Sequence, residues 1–251
     1  MLDYEEESRH YDAWRGGEPR AEAAARAVLG LLPETVRDVL DAGCGTGIVT
    51  RRLGTDARGL RVTGVDRAAG MVRRAAERLP GAVARADCRR LPFRDEAFDA
   101  VCSVWLLHLA TGAEEAEALV GECARVLRPG GTWVTTVDKG PSHNVGSDID
   151  AILATRPPSP VPDGAAVVTA HARRHGLRPG GQARFVGRGQ GRSPRRTIDD
   201  LRRGWFVTLP PGDPRADGIA ERLAALPDQH RPRPEPVFTL RSFRKAHDPP
   251  P

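Results

Sequence analysis

The stretch that most constrains the fold is residues 39–50, VLDAGCGTGIVT, in which an apolar run leads into a loop with glycine at positions 43, 45 and 47. Glycine has no Cβ, so such a loop can turn tightly and let a ligand approach the backbone closely. A following helix would point its N-terminal amides at the same ligand. The spacing is G-x-G-x-G, with Ile48 where the dinucleotide fingerprint G-x-G-x-x-G needs glycine, which argues against a nicotinamide dinucleotide.

The neighbouring segments alternate between strand-like and helix-like patterns. The run at 98–105 is continuously apolar, which is typical of a strand buried on both faces. Regular alternation of this kind predicts an α/β fold with a doubly wound parallel sheet. We predict strands at 38–43, 60–66, 82–87, 98–105 and 132–138, and helices at 46–54, 69–79 and 113–127, with RPGG at 128–131 as the turn that ends the last helix.

The flanks differ from this core in composition. Residues 1–36 predict an N-terminal helical arm or lid, and beyond Lys139 the chain becomes rich in proline, glycine and arginine. We therefore divide the chain into the arm, a core at 37–139, a C-terminal part at 140–247 and a disordered tail at 248–251. Within the C-terminal part we predict helices near 165–175 and 197–207 and strands at 182–189 and 237–246.

The net charge of +5 raises the question of a polyanionic partner. Only Lys139 and Lys245 are lysines, and the arginines are spread over most of the chain and interleaved with acids, so we interpret the charge mainly as compositional bias. The densest basic run, 184–203, lacks the aromatic interleaving of single-strand binders, and a nucleic-acid partner is not expected. The arginines at 184, 188, 192, 195 and 196 are either a site for an acidic substrate or a solvated face.

Cysteine usage and hydropathy bear on the compartment and on metals. The cysteines at 44, 88, 102 and 123 show no C-x-x-C spacing, and neither clustered acids nor histidine pairs suggest a metal site, so no metal is expected. The acidic start MLDYEEES is not a signal peptide, and the longest apolar run, 100–109, is too short for a bilayer. We expect a cytoplasmic protein with no membrane association.

Three acids stand at places where a nucleoside cofactor needs acceptors. Asp41 precedes the first glycine by two residues, where it would repel a pyrophosphate and suit an ammonium group. Asp66 closes the second strand and can accept both hydroxyls of a ribose. Asp87 ends the third strand and can accept from an adenine amino group, while the amide of Cys88 can reach a ring nitrogen. The alternative for Asp41 and Asp87 is that they only cap strand ends.

The successive segments VLDAGCGTG, VTGVD, ARADCRRLPF, FDAVCSVWLLHL and RVLRPGGTWVTT, which together cover about residues 37–138, resemble the motifs of class I S-adenosylmethionine-dependent methyltransferases. The resemblance implies a Rossmann-like seven-stranded sheet whose last strand is antiparallel, with 182–189 and 237–246 as strands six and seven and a cap-like insertion over the pocket. It also implies S-adenosyl-L-methionine as cofactor and S-adenosyl-L-homocysteine as product.

The same resemblance assigns site residues. It would place the methionine moiety on Asp41 and the glycine loop, the ribose on Asp66, and the adenine on Asp87 and Cys88. The segment SRHYDAWRGGEPR at 8–20 is similar to the cofactor-covering segment of small-molecule members, where Tyr11 would pack over the cofactor and Arg15 would pair with its carboxylate; Tyr11 could equally be an interface aromatic. The remaining expected cofactor contacts are Gly43, Cys44, Gly45, Gly47, Arg67, Met71 and Val104.

Methyl transfer needs an aligned nucleophile and sometimes a base. His108 follows strand four at the carboxyl edge of the sheet and is the candidate general base. The alternative is a histidine that only packs or hydrogen-bonds near the cofactor. Trp105 is expected to shape the substrate pocket, and Asp138 and His143, at and beyond the end of strand five, are secondary candidates.

The absence of certain motifs narrows the range of possible methyl acceptors. There is no N-P-P-[YF] after strand four and no Pro-Cys dipeptide, and Glu114-Glu115 lies on a helix outside a double-acid loop. We therefore expect methylation of an oxygen or nitrogen atom of a small molecule, in specialised metabolism, by a monomer or homodimer. The alternatives are an RNA or protein methyltransferase, supported only by 184–203, and a cofactor-binding protein without transferase activity; a nicotinamide oxidoreductase ranks last.

Overall fold

The computed structural model describes residues 4–156, 161–204, 206, 209 and 212–247. The described chain contains one seven-stranded sheet with the strand order β3-β2-β1-β4-β5-β7-β6. Strand β7 runs antiparallel to both of its neighbours and the other pairs are parallel, which confirms the predicted α/β fold class with its antiparallel last strand. The strands are β1 (Asp38–Ala42), β2 (Arg61–Asp66), β3 (Val83–Arg85), β4 (Phe98–Ser103), β5 (Leu127–Val137), β6 (Leu177–Val186) and β7 (Val237–Lys245).

Helices cover both faces of the sheet, and a group of short helices lies beyond its carboxyl edge. A single turn of 3₁₀ helix, Leu107–Leu109, follows β4. The α-helices are α1 (Tyr4–Glu7), α2 (Tyr11–Trp14), α3 (Gly17–Leu29), α4 (Ile48–Gly54), α5 (Ala69–Arg78), α6 (Ala113–Val126), α7 (Lys139–Ser142), α8 (Asp148–Leu153), α9 (Ala165–Arg174), α10 (Pro194–Arg202) and α11 (Pro214–Ala224).

The packing of both faces of the central strand β4 explains its continuous apolar sequence. Val101 packs into the layer that contains α6 and α9, while Ala100 and Cys102 pack into the opposite layer with α3 and α4. Because successive side chains of a strand point to opposite faces, a strand covered on both sides needs apolar residues at every position. The buried indole of Trp133 on β5 donates from Nε1 to Ser103 Oγ at 3.0 Å, so its polar atom is satisfied inside the sheet.

The pentapeptide LRPGG occurs twice, at 127–131 and 177–181, and both copies lie inside strands. Each copy coincides with a register shift, between β4 and β5 in the first case and between β6 and β7 in the second. Gly130 has φ +73°, a left-handed conformation that suits glycine. The predicted turn at 128–131 is therefore wrong: the segment is an irregularity within β5, and β5 and β6 each begin five residues before their predicted start.

The C-terminal part forms a third apolar cluster from α8, α10 and α11, whose members are Ile149, Ile152, Leu153, Ile198, Leu201, Leu209, Ile219 and Leu223. Helix α11 was not predicted. Helix α8 begins with a capping box between Ser147 and Asp150, and α11 begins with Pro214 after the N-cap Asp213. The predicted helix at 197–207 begins earlier, at Pro194, because Ser193 caps it. The helix ends at Arg202, and residues 205 and 207 of its expected last turn, residues 157–160 of the proline-rich segment and the expected disordered tail at 248–251 lie outside the described residues. The division into domains stays a prediction.

Candidate active site

Two adjoining cavities open at the carboxyl edge of the parallel strands, the edge where ligands of open α/β sheets bind. The first has a volume of about 1070 Å³, counted out to its open mouth, and is lined by the glycine loop, the ends of β2 and β4 and the N-terminal arm. The second has a volume of about 1460 Å³ and is lined by α7, the loop after β6 and α10. His108 belongs to the wall of both.

The three glycines of the loop have positive φ angles, but they do different things. Gly45, at φ +55°, has no atom within 4 Å of where a Cβ would lie, so it leaves open space in the cavity wall. A Cβ on Gly43 would come within 2.8 Å of Leu106 Cδ1. Gly47 does not line the cavity, and a Cβ there would lie 2.9 Å from Ala75 Cβ. Its glycine allows α4 to lie against α5, a packing role that differs from the predicted cofactor contact.

The predicted acids Asp41, Asp66 and Asp87 come together in the wall of the first cavity. Asp41 is 2% exposed and accepts hydrogen bonds from Thr50 Oγ1 at 2.6 Å and Cys102 Sγ at 3.5 Å. Burial raises its pKa to about 6. Asp87 is already paired, because Arg89 donates to it from Nε, Nη2 and the backbone, which holds the pKa of Asp87 below its ordinary value.

Asp66 fixes the glycine loop as well as facing the cavity. Its two carboxylate oxygens accept from the backbone N–H of Gly45 and of Ala68, each at 2.9 Å. Burial raises the pKa of Asp66 despite these hydrogen bonds. The remaining predicted residues on this wall are Tyr11, Cys44, Arg67, Met71, Cys88, Val104 and Trp105.

Arg20, which was not predicted as a site residue, is a cation in the wall of the first cavity, the role that was expected of Arg15. It is 5% exposed, and its guanidinium lies 4.0 Å from the centre of the Trp105 indole ring. Its Nε and the Trp105 Nε1 are enclosed and have no hydrogen-bond partner in the described chain. The signal was present in the sequence: Arg20, Ala24 and Val28 recur every four residues along α3, so Arg20 falls on the buried face of that helix.

Three other predicted residues lie elsewhere. Arg15 and His143 line the second cavity, so the expected pairing of Arg15 with the cofactor does not fit its position in the structure. Asp138 lines neither cavity; its Oδ1 accepts from the backbone N–H of Ala165 at 3.0 Å, at the start of α9. Asp163 lines the second cavity in its place and accepts from the backbone N–H of Lys139 at 2.8 Å.

Residues 40–135 match a family model described as a methyltransferase domain. The chain carries a class I S-adenosylmethionine-dependent methyltransferase domain. Similar curated proteins include an uncharacterised methyltransferase of Geobacillus kaustophilus, 37% identical over 98 residues that make up 38% of this chain and 44% of the relative. A demethylmenaquinone methyltransferase of Mycolicibacterium paratuberculosis is 36% identical over 120 residues, 48% of this chain and 49% of the relative. The chain thus spans less than half the length of these relatives.

Solved structures of low sequence identity share the fold. A putative methyltransferase of Haloferax volcanii, in complex with the Trm112 methyltransferase activator, has a TM-score of 0.62 at 20% identity and covers 99% of both chains. The [4+2]-cyclase SpnF has a TM-score of 0.63 at 20% identity, with 98% of this chain and 94% of that chain covered. These likenesses concern the fold alone.

The first cavity of the methyltransferase domain fits S-adenosylmethionine. One part of its wall carries the unpartnered donors Arg20 Nε and Trp105 Nε1, which suit a carboxylate. Another part carries Asp41 and Asp66, which suit an ammonium group and ribose hydroxyls. All four cysteines are free and buried, and burial raises their pKa values, so they are poor nucleophiles.

Within the described ranges, no group of three or more histidine, cysteine, aspartate or glutamate residues could hold a metal ion. No helix in the same ranges is long and apolar enough to cross a bilayer. The expectation of a metal-free enzyme stays a prediction.

His108 sits in the 3₁₀ turn after β4, with its Nδ1 enclosed and without a hydrogen-bond partner among the described residues. Burial, together with the positive charges of Lys139 and Arg15, lowers its pKa well below the ordinary value, so the ring is neutral at pH 7. The pKa of His143, which packs edge-on to Phe238 at 5.3 Å, is lowered for similar reasons.

Lys139 is the second functional candidate that the sequence analysis missed. It is the first residue of α7, after the N-cap Asp138. Burial and the neighbouring Arg15, Arg20 and Arg192 lower its pKa to about 7, while Asp163 acts in the opposite sense. Its rarity was a usable signal, because it is one of only two lysines in a chain that otherwise uses arginine.

The enclosed carboxyl of Asp41 makes the stability of the protein depend on pH. In the folded protein its pKa is about 6, above the value near 4 of an unfolded chain, so the folded state binds the proton more tightly. The free energy of unfolding therefore falls as the pH rises from about 4 to about 6. We expect Asp41→Asn to remove this loss and to stabilise the protein, relative to the wild type, by at most about 3 kcal/mol above pH 7.

Urea unfolding of both proteins without cofactor at pH 4, 5, 6 and 7 measures the effect. Because the amide cannot ionise, the difference between the two proteins should grow with pH. A difference that stays constant from pH 4 to pH 7 would show that Asp41 does not titrate in this range.

Proposed function

We propose that the protein transfers the methyl group of S-adenosylmethionine to an oxygen or nitrogen atom of a small molecule bound in the second cavity. The observation that carries the proposal is the position of His108. Its ring lies in the wall shared by the two cavities, and its Nδ1 has no partner in the described chain. A molecule in the second cavity can therefore present an O–H or N–H group to His108 while facing the first cavity.

When bound, the cofactor supplies an electrophilic methyl group on a sulfonium. The residues of this chain bind the cofactor, orient the acceptor and remove the acceptor's proton. Asp66 accepts from ribose hydroxyls, and Arg20 donates to the carboxylate. His108, neutral at pH 7, accepts the acceptor's proton at Nδ1 as the nucleophile attacks.

The N-terminal arm closes the site against water. The carboxylate of Glu5 accepts from the backbone N–H groups of Ala69 and Gly70 at the start of α5. Asp12 accepts from Thr46 Oγ1 and Arg78 Nη2, each at 2.6 Å. These contacts keep Tyr11 over the first cavity, where the exclusion of water strengthens the electrostatic interactions inside.

The positions of the basic residues around the second cavity favour a small acceptor over a macromolecule. The basic run at 184–203, the only support for an RNA or protein substrate, does not form one surface. Arg192 and Arg196 line the cavity, and Arg184, Arg188 and Arg195 are exposed. Some relatives are named as quinone methyltransferases, but a wall of cationic side chains does not suit an apolar quinone.

The setting of the reaction stays a prediction. A role in specialised metabolism, a cytoplasmic location and a monomeric or homodimeric state are expectations from the sequence. The fold itself does not fix the reaction, since a neighbour with this fold is named as a cyclase. A protein that binds the cofactor without transferring its methyl group is therefore an outcome that the tests below must be able to detect.

We expect Arg20→Met to weaken the binding of S-adenosylhomocysteine by about tenfold or more, because a charge-assisted hydrogen bond to the carboxylate is lost. Arg15→Met should change this affinity by less than about threefold, since Arg15 faces the other cavity. Calorimetry measures both.

5′-Methylthioadenosine, which lacks the amino-acid part, is the matched ligand control for this measurement. It should bind the wild type and Arg20→Met equally. If Arg20→Met lost equal affinity for the two ligands, Arg20 would support the cavity by packing alone. A larger loss of S-adenosylhomocysteine affinity in Arg15→Met would show that Arg15, and not Arg20, binds the carboxylate.

We expect His108→Gln to lower turnover by roughly a hundredfold, the usual effect of losing a general base, while S-adenosylhomocysteine still binds. Because the pKa of His108 lies well below 6.5, wild-type turnover should not fall between pH 8 and pH 6.5, as it would with an ordinary histidine.

The acceptor for this assay comes from a small-molecule extract incubated with the protein and isotope-labelled cofactor, with labelled products identified by mass spectrometry. Full turnover of His108→Gln at every pH would contradict the base role. Cofactor binding without any labelled product would favour the non-catalytic alternative.

A further inference from the structure

The wall of the second cavity carries more positive than negative side chains. In the described chain its acids are Asp163 and Asp200, and burial raises the pKa of both. The carboxylate of Asp163 is occupied by the backbone of Lys139. The five cationic side chains are Arg15, Lys139, Arg156, Arg192 and Arg196.

Two of the guanidinium groups share one aromatic ring. Arg156 lies 4.5 Å and Arg192 5.8 Å from the centre of the Phe206 ring, so two like charges are held close together. Arg156 donates from Nε to the Leu153 carbonyl, and no carboxylate of the described chain lies within 4.0 Å of its guanidinium, although Asp150 acts on it from farther away. Such an arrangement is unfavourable unless an anion lies between the two charges.

Arg192 has one carboxylate of the described chain within 4.0 Å, and Asp200 acts on it from farther away. Asp150 lies 3.5 Å from Arg192 Nη1. Its other oxygen already accepts from Val145 N, Ser147 N and Ser147 Oγ in the capping box of α8. The helix cap thus uses one oxygen of Asp150, and the oxygen that faces Arg192 lies farther from it than in an ordinary hydrogen bond.

A third hydrogen-bond donor in this wall also lacks an acceptor. Gln190 lines this cavity, and its enclosed Nε2 has no hydrogen-bond partner in the described chain. Since Arg156, Arg192 and Gln190 all offer donors, the ligand that satisfies this part of the wall must offer acceptors. A carboxylate or phosphate, with several oxygens in a fixed geometry, matches planar guanidinium groups best.

We propose that the methyl acceptor carries an acid group, a carboxylate or a phosphate, that binds between Arg156 and Arg192 beside Phe206. This inference rests on the proposed function, because it names the substrate class of the same site. His143 shares a small cavity with Gln190 and Arg192, whereas His108 borders the first cavity. The acid group therefore lies toward His143, and the methylated atom lies toward His108.

The test uses benzoate and phenyl phosphate as acid probes and benzamide as the neutral probe of matched shape. Each is titrated into the protein saturated with S-adenosylhomocysteine, with binding followed by ligand-observed NMR. We expect at least one acid probe to bind about tenfold or more tightly than benzamide, and the better of the two identifies the acid group as carboxylate or phosphate.

Arg192→Gln and Arg156→Gln should each weaken the better acid probe by about tenfold. Arg195→Gln is the matched control, because Arg195 lies beside the site in sequence but is exposed and pairs with Asp199 at 3.8 Å. Its affinity for the probe should stay within about twofold of the wild type. Benzamide binding as well as the acids, or an equal loss in Arg195→Gln, would overturn the inference.

Affinity for S-adenosylhomocysteine, measured on every variant, separates this inference from the proposed function. If the wild type fails to bind S-adenosylhomocysteine, the proposed function fails. If it binds S-adenosylhomocysteine but does not prefer the acid probes, only the substrate class is wrong. The wild-type comparison of benzoate, phenyl phosphate and benzamide tests the preference for an acid group even if a variant folds poorly.

Lys139 gives the binding of the acid probe a characteristic dependence on pH. Its pKa is about 7, so its ammonium charge is present below pH 7 and lost above it. The other groups that act on it are Arg15, Arg20, Arg192 and Asp163; its own charge acts on His108 and His143. From pH 6.5 to 8.5 both histidines are neutral, and the arginines stay charged, since even Arg192 keeps a pKa of about 10.

We therefore expect the affinity for the better acid probe to fall by about tenfold between pH 6.5 and pH 8.5 in the wild type. In Lys139→Met the affinity should be lower at pH 6.5 and nearly constant over the same range. The NMR titration repeated across this range measures both. A constant affinity in the wild type, or an unchanged slope in Lys139→Met, would contradict a role for Lys139 in holding the acid group.

Discussion

The pair of hydrogen bonds accepted by Asp66 holds the first cavity together. One oxygen binds the backbone of Gly45 in the loop after β1, and the other binds Ala68 at the start of α5, so a single carboxylate joins the loops after two neighbouring strands. A carboxylate in an enclosed position costs solvation energy, as the raised pKa of Asp66 records. Ligand hydroxyls that donate to the remaining lone pairs would offset part of that cost. The Asp66 carboxylate, which organises the glycine loop, is thus also the group whose solvation cost a bound ligand would reduce.

The two cavities are coupled by the N-terminal arm. Gly16 and Gly189 cross so closely that a Cβ on Gly189 would lie 2.7 Å from Gly16 Cα, and one on Gly16 would overlap the carbonyl of Arg188. Arg196 of the second cavity donates to the carbonyl of Trp14 beside this crossing. The segment that lies over the first cavity is therefore anchored on the loop that lines the second.

The sequence predicted the half of the site that depends on local patterns. Strand ends, glycine spacing and the acids Asp41, Asp66 and Asp87 follow from periodicity and from the rule that parallel strands end at one edge, and the structure brings these residues to one wall. Arg15 and Asp138 were harder to assign, because the side that a residue faces next to a cavity depends on tertiary packing. The C-terminal strand limits failed for a related reason: LRPGG contains proline and glycine, which signal a turn, but the sheet accommodates both copies as irregularities within strands.

The second cavity shows why composition alone cannot assign a function to arginines. Arg195 and Arg192 are close in sequence, yet Arg195 is exposed and paired with Asp199, while Arg192 is 24% exposed and shares the Phe206 ring with Arg156. In water the charge of an arginine costs little, and a surface pair adds little to stability. In a cavity the same charge is costly unless an anion accompanies it, and no periodicity reveals which arginine meets which environment. The short helices α8, α10 and α11 decide this by packing on one another, and their own apolar cluster fixes Arg156 and Arg192 beside a common ring. Excess charge on the wall of a cavity is therefore stronger evidence for a ligand than the larger excess in the whole chain.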